Sequence, residues 1–593
     1  MKIVFAISQK MPAILISAVI GLLFAMIIGV SALNFLDYGL KRQLFFFFLL
    51  SLGMSLFCYI LLTRLPARSK TLGAVNDIRY STLLRKIFLA VFFLFPIILI
   101  FSQQLPEFLQ ILSTGRSSDF IGWLPSDDHN RALFIQIFAL SCIVLMGLFL
   151  AGKRPSVQSF FNNLSDFWYV LFILLFSLAI RIPIIYSINT QPISDFGIIN
   201  EDALALAQGD RPTHMYVATH VAVTIVYGFV YDVFGSDLSL LKIFHAVAYA
   251  LAGIFLYGAG KMIFDSKLWA WITALLLVGL PSLAVYSNVL TPEHLFILVE
   301  CALIFVVASL FRNHQTTEQK TGDALTKPFI ARSILIGLLI GLMGMFRPFS
   351  ELFLVAFVFT LFLYIRSFKA IAVSTLCVLV AFWLLRDIPA LIATHYQNQF
   401  GNIRPCNLLV GLNFEAAGQY NAEDVELCSK LRTEISDETV LTRTIMDIIW
   451  ERFQKQQNDL LLFIDEKFAI LWTNSNGILF WTVRQVNGGD QNSILETVRK
   501  IDLIDFAIML LLTITCVIGT ILAFFKDLKP AVFFCLLAFF GFNLMEIPFE
   551  LQTRYRTVVM PLLIVFACWS LAVLSASMNT HNYDPLMRQD LQG

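Results

Sequence analysis

Long apolar runs, separated by short polar turns, recur along almost the whole chain. A run of about 20 apolar residues is the length that crosses a hydrocarbon core as an α-helix. Such runs predict spanning helices near 12–33, 43–63, 87–103, 132–151, 167–188, 238–261, 268–290, 293–311, 332–346, 350–366, 370–387, 506–525, 531–547 and 557–577. The expected fold class is therefore an all-α polytopic membrane protein with a bundle of about 14 transmembrane helices. The first run, Pro12 to Leu33, is long enough to span and has no clear small-residue cleavage site, so no cleavable signal is expected. Two polar stretches interrupt the pattern, Asn189–Asp237 and Asp387–Asp505. Only the second is long enough to form an extramembrane domain.

These interruptions divide the chain. Residues 1–165 read as an N-terminal four-helix transmembrane extension, and 166–388 as a transmembrane core that carries the first external loop (189–237). Residues 389–505 read as an external, mainly helical domain, and 506–593 as C-terminal transmembrane helices with a short cytoplasmic tail. Within the external region, Asn421 is placed to cap a helix that opens with Glu423 and Asp424. Val440, Leu441, Ile445, Ile448, Ile449 and Phe453 fall at helical spacing. Trp472, Phe480 and Trp481 read either as an interfacial belt or as a sugar-stacking surface.

Composition narrows the class. Of 593 residues, 58% are hydrophobic and 14% charged, with a mean hydropathy of +0.76. That excludes a soluble enzyme, a disordered chain and a nucleic-acid binder. The 57 phenylalanines supply lipid-facing and packing surface, and a net charge of +1 implies no bulk electrostatic partner. Seven of nine cysteines lie in apolar runs, where a thiol acts as a small hydrophobe. Cys406 and Cys428 lie in the polar region, as a disulfide or as two free thiols.

Lys and Arg orient the bundle. The loop 64–86 carries six of them, and Lys153/Arg154, Lys261/Lys267, Arg312/Lys320/Lys327/Arg332, Arg366/Lys369 and Lys526/Lys529 form further basic clusters. All fall on the cytoplasmic side only if THMYVATHVAVTIVYGFVYDVF, Thr213–Phe234, lies at the interface. The alternative is a spanning helix whose polar residues face the bundle. With the interfacial reading both termini are cytoplasmic, and Asn189–Asp237, Thr291–Glu293, Arg347, Asp387–Asp505 and Glu546–Arg556 share the external face. Ionisable residues placed so close to an apolar bundle are costly and tend to be functional.

Each candidate carries two readings. Asp195 is a general base beside the membrane, or part of a helix N-cap with Ser194. Asp202 lies seven residues on and shares its helical face, whereas Glu201, Asp202 and Asp210 also read as a solvated surface. Glu293, in TPEHL, is ordinary helix-start chemistry or a second carboxylate aimed at substrate. Arg347 pairs with Glu351 at i, i+4 or holds a phosphate. Arg554, Tyr555 and Arg556 anchor a helix at the interface or clamp a phosphate. As a set they suit a lipid phosphate: tail between helices, arginines on the phosphate, and a carboxylate to deprotonate an incoming hydroxyl.

Three stretches resemble the GT-C class of membrane glycosyltransferases, in the branch related to protein O-mannosyltransferases and the lipid A aminoarabinose transferase. They are SDFGIINEDALALAQGD after a spanning helix, the run from RPTHMYVATHV to GAGKMIFD, and the closing QTRYRTVVMPLL. The segment NLLVGLNFEAAGQYNAEDV adds a weaker likeness to bacterial members, and the whole covers roughly 167–577. The resemblance implies a GT-C-like bundle with an external pair of juxtamembrane helices, and a polyprenyl-phosphate-linked sugar as donor. Asp195 would be the catalytic base with Glu293 as a second acid. Arg554 would contact the donor phosphate, joined by Arg556, Arg347 and Arg211, with Asp202, His214 and Tyr555 as further site candidates. The acceptor would be an external glycan, lipid or protein, and the site would face the outside of the plasma (inner) membrane. Many relatives carry two adjacent acids in the first loop. Here Phe196 follows Asp195, which leaves a divalent metal open and no other cofactor implied. The rival readings are a transporter or flippase of a lipid-linked sugar, and a GT-C-like polymerase or ligase.

Overall fold

A computed structural model describes residues 94–114, 128–212, 218–321, 325–395, 404–473, 476–484, 486 and 491–580. The expected spans at 12–33 and 43–63, the basic loop 64–86, and His214 lie outside the described residues. Apart from 458–464, the described residues belong to one compact unit. Among them no strand occurs and eight helices are long and apolar enough to cross a membrane, with five shorter apolar helices beside them. The chain is thus an all-α membrane protein, and the described residues give eight such helices where the sequence predicts about 14 spans over its whole length.

The helices run α1 (Leu94–Thr114), α2 (Asp128–Lys153), α3 (Pro155–Asn163), α4 (Asp166–Ser187), α5 (Asp195–Ala207), α6 (Ala218–Phe234), α7 (Leu238–Phe264), α8 (Lys267–Gly279), α9 (Pro281–Tyr286), α10 (Glu293–Thr321), α11 (Lys327–Phe346), α12 (Ser350–Tyr364) and α13 (Phe368–Arg386). Then come α14 (Ile388–His395), α15 (Arg404–Gly411), α16 (Ala422–Glu434), α17 (Glu438–Gln456), α18 (Leu460–Thr473), α19 (Asn476–Val483), α20 (Gln491–Phe525), α21 (Pro530–Met545) and α22 (Met560–Thr580). Helix α6 spans 17 residues and falls among the shorter apolar helices.

The single span expected at 268–290 is instead two helices. Pro281 opens α9 at its first position. Its missing N–H and fixed φ end the α8 ladder there. The chain then runs irregularly from Ser287 to Pro292 through the bundle interior. Bare carbonyls at that depth are expensive, and three side chains answer them. His245 Nδ1 lies 3.0 Å from the Ser287 carbonyl, His294 Nε2 lies 2.9 Å from that of Val289, and the Tyr227 hydroxyl donates to that of Thr291 at 3.0 Å.

Helix α7 sits among α4, α8 and α10. Helix α11 packs along α13. Ser333, Gly337 and Gly341 recur every fourth residue and so form one stripe. The hydroxyls of Ser333 and Ser374 bond at 2.7 Å. A Cβ at Gly337 would run into the Val378 carbonyl oxygen, and one at Gly341 would come within 2.9 Å of that of Phe382. Small residues let the two backbones touch, the main source of helix association in an apolar medium.

The two ends of the bundle differ. At one, Asp166 pairs with Lys261 and Lys267, and Asp265 with Lys529 and Arg312. At the other, α4, α11, α13 and α21 end while α7, α10 and α22 begin.

In the polar region that carries α16 and α17, Asn421 Oδ1 accepts from the backbone of Glu423 and Asp424, and Asp437 caps α17 in the same way. Leu441, Ile445 and Ile449 pack with Leu409 and Cys428. Cys406 and Cys428 form a disulfide with a Cα separation of 5.9 Å. The boundary drawn at 505 falls inside one continuous helix, α20, of 35 residues. Trp472 is fully buried and donates to Asn543 at 2.9 Å, so it belongs to the interior and not to an interfacial belt.

Gly337→Leu is expected to destabilise the protein by about 1–3 kcal/mol through overpacking. A lower thermal midpoint in detergent, with Leu338→Ile as a control of similar volume, checks this. An unchanged midpoint for Gly337→Leu would contradict the close approach of α11 and α13.

Candidate functional site

The site is assembled from helix ends. After α4 the chain is held at Thr190, whose hydroxyl donates to the Thr482 carbonyl at 2.6 Å and whose carbonyl accepts from Lys242 Nζ at 2.7 Å. Four residues later Ser194 takes φ +51°, a left-handed conformation that costs a non-glycine residue roughly 1–3 kcal/mol. Ser194 occupies the N-cap position of α5 but makes no side-chain cap bond, and Asp195 is the first helical residue. The expected cap is therefore not formed. The half-buried Asp195 carboxylate makes no hydrogen bond or ion pair among the described residues.

Glu293 opens α10 and is completely buried. Its Oε1 accepts a hydrogen bond from Arg347 Nη2, while Oε2 has no partner. Arg347 sits at the C-cap of α11. The i, i+4 pairing expected with Glu351 does not form: Glu351 pairs with Arg386 at 3.4 Å. Arg347 also lies 5.3 Å from the Tyr555 ring centre.

Arg554 lies in the 3-10 turn Thr553–Val559 that leads into α22. It is buried, and its Nε and Nη1 have no hydrogen-bond acceptor among the described residues. Three rings surround its guanidinium: Phe196 at 5.0 Å, Trp481 at 5.4 Å and Tyr555 at 5.5 Å. Phe196 and Trp481 meet edge to face at 5.2 Å. Because Phe196 follows Asp195 directly, packing of the first α5 residues against Trp481 delivers Asp195 to this neighbourhood.

His220, in the first turn of α6, ties the set together. Burial pushes its imidazole down to about 4; the charges of Asp195 and Glu293 oppose that shift, and those of Arg347 and Arg554 reinforce it. Thus Asp195, Glu293, Arg347 and Arg554, drawn from four elements, all act on one imidazole. The two carboxylates and two guanidiniums balance, and the neutral imidazole adds no charge.

Other expected site residues lie elsewhere. Arg556 is buried but spoken for, with Nη2 3.1 Å from Asp505 Oδ2 and Nη1 donating to the Leu471 carbonyl at 3.4 Å. It buttresses α20 and does not offer a free donor. Asp202 is buried on α5, against its reading as a solvated surface, whereas Glu201, Asp210 and Arg211 are exposed. Among the described residues no group of three or more His, Cys, Asp or Glu gathers as metal ligands.

Phe196 and His220 are not singled out for the site by their sequence positions, and Trp481, read as an interfacial belt or a sugar-stacking surface, is not expected beside Arg554. Their only signal is indirect: an aromatic beside Asp195, a polar residue in an apolar helix, and an aromatic near the end of the polar region. No protein-family model matches the chain, and no curated protein matches it.

The loop before Arg554 is tethered to α15 and α18 through Lys467. Lys467 Nζ donates to the carbonyls of Gly411 at 2.9 Å, Ile547 at 2.7 Å and Phe549 at 2.6 Å. Next to it, burial pushes the Glu546 carboxyl up to about 8, against the pull of Lys467 and Arg347.

Two outcomes follow. Breaking the buried Glu293–Arg347 pair with either Glu293→Met or Arg347→Met is expected to cost about 3–5 kcal/mol, and the double variant to recover most of it. Thermal unfolding of the three variants measures this, and additive losses would contradict the pairing. Between 4.5 and about 8 the folded chain keeps a proton on Glu546 that the unfolded chain has released, so stability falls as pH rises through that window. Glu546→Gln should flatten this slope in a pH series of unfolding midpoints; an unchanged slope would contradict the assignment.

Proposed function

We propose that the protein is a membrane glycosyltransferase that moves a sugar from a polyprenyl-phosphate-linked donor to a hydroxyl of an external acceptor. The observation that carries this reading is the buried Arg554 guanidinium, with two nitrogens lacking acceptors among the described residues, near the Asp195 carboxylate, which makes no hydrogen bond or ion pair among those residues either. A buried guanidinium with open donors matches the oxygens of a phosphate. An unpaired carboxylate beside it matches a base for a hydroxyl. The resemblance of SDFGIINEDALALAQGD and QTRYRTVVMPLL to GT-C transferases supports the same assignment.

In this mechanism the donor phosphate lies on Arg554 Nε and Nη1, with Tyr555 and Trp481 shielding the guanidinium from water. Asp195 accepts the proton of the acceptor hydroxyl. The hydroxyl oxygen forms a bond to the anomeric carbon as the bond from that carbon to the phosphate oxygen breaks, and the electron pair leaves with the phosphate. A single displacement inverts the anomeric configuration. Arg347 hydrogen-bonds Glu293 at the wall of the site, a positioning role. The clustering of Lys261, Lys267, Arg312 and Lys529 at the opposite end of the bundle supports an outward-facing site by the positive-inside rule.

Asp195→Asn should lower transfer by roughly 100-fold or more and leave the unfolding midpoint unchanged. Release of polyprenyl phosphate from a panel of polyprenyl-phosphate hexoses and pentoses, measured on purified protein, tests this. Near-normal release by Asp195→Asn would refute the assignment, as would movement of the lipid-linked sugar across a vesicle membrane with no release.

A further inference from the structure

The external-domain helix α19 brings a further cation to this site. Arg484 follows its last turn, with its backbone N–H donating to the Phe480 carbonyl at 2.9 Å. Its exposed guanidinium lies 4.8 Å from the Phe480 ring centre and 5.5 Å from that of Trp481. Trp481 is the same ring that Arg554 approaches at 5.4 Å. The two guanidinium carbons can therefore be no further apart than the sum of those two distances. Arg484 makes no side-chain hydrogen bond or ion pair among the described residues.

Two guanidiniums sharing one indole repel each other. The inner carboxylates do not compensate the second, because Asp195 and Glu293 are already balanced by Arg347 and Arg554. Such a surplus cation at the rim calls for an anion.

We propose that Arg484 is a second phosphate contact of this site, tuned to the lipid phosphate left when the sugar departs. The inference rests on the functional reading above. A glycosyl lipid phosphate is a diester with one negative charge. Once the bond to the anomeric carbon breaks, the product is a monoester that carries up to two. Over the same step Asp195 loses its charge by gaining the acceptor proton. Negative charge thus shifts from Asp195 onto the phosphate, and a cation beside Arg554 stabilises that shift. Trp481 keeps the two guanidiniums in register by offering each a ring contact.

The test compares two probes on the purified full-length protein in nanodiscs, read by quenching of tryptophan fluorescence. They are farnesyl phosphate, a dianion at pH 8, and its methyl diester, a monoanion. Wild type should bind both, the dianion more tightly. Arg484→Ala should weaken the dianion about tenfold, as loss of one exposed charge-assisted contact does, and the diester much less. It should also reduce the salt dependence of binding. Arg484→Lys, which keeps the charge, should restore most of the difference between the probes. Equal affinities of wild type and Arg484→Ala for the dianion would overturn this inference alone, as would equal weakening of both probes. Failure of wild type to bind either probe would overturn the lipid-phosphate reading and this inference with it.

Discussion

A guanidinium in a water-poor interior must have acceptors, or its burial is a standing cost of several kcal/mol. Arg554 is buried, with Nε and Nη1 unanswered among the described residues, three ring faces around it and the charges of Glu293 and Asp195 acting on it. Arg556, two residues on, is equally buried, yet it is answered by Asp505 and a backbone carbonyl. The contrast separates a structural arginine from one kept open. Much of the surrounding architecture serves to hold Arg554 in that state. Lys467, on α18, ties down the loop before Arg554, and the pairing of Phe196 with Trp481 closes the wall beside it.

The same contrast sorts the other polar groups of the bundle. His245, His294 and Tyr227 are intramembrane and ionisable, which alone would mark them as functional. Their hydrogen bonds go to the carbonyls of the irregular stretch after α9, so they meet a backbone demand. Pro281 ends α8 and opens α9, and after the irregular stretch the chain re-enters at Glu293 with the carboxylate bonded to Arg347.

Part of this was legible in the sequence and part was not, for physical reasons. Apolar run length gave the long helices, because span length is set by the hydrocarbon core. Alternation of basic clusters separated the two ends, and so placed Asp195, Glu293, Arg347 and Arg554 at one of them. Partner choice was not legible. Arg347 has Glu351 four residues away, yet as a C-cap it lies outside α12 and meets Glu293, 54 residues distant. The pairing of Arg556 with Asp505 and the meeting of Phe196 with Trp481 depend on packing between elements far apart in the chain, which no local period records. The break in 268–290 was legible at Pro281, whose missing N–H interrupts a helix, but the apolar content that runs on through it masks the break when span length alone is read.

The most direct measurement is a cryo-electron-microscopy map of the full-length protein in nanodiscs saturated with farnesyl phosphate. Phosphate density is expected within hydrogen-bonding distance of Arg554 Nε and Nη1, with the Asp195 carboxylate facing the same space. Phosphate bound elsewhere while those two nitrogens stay unpaired, or Asp195 turned into a separate region, would contradict this expectation.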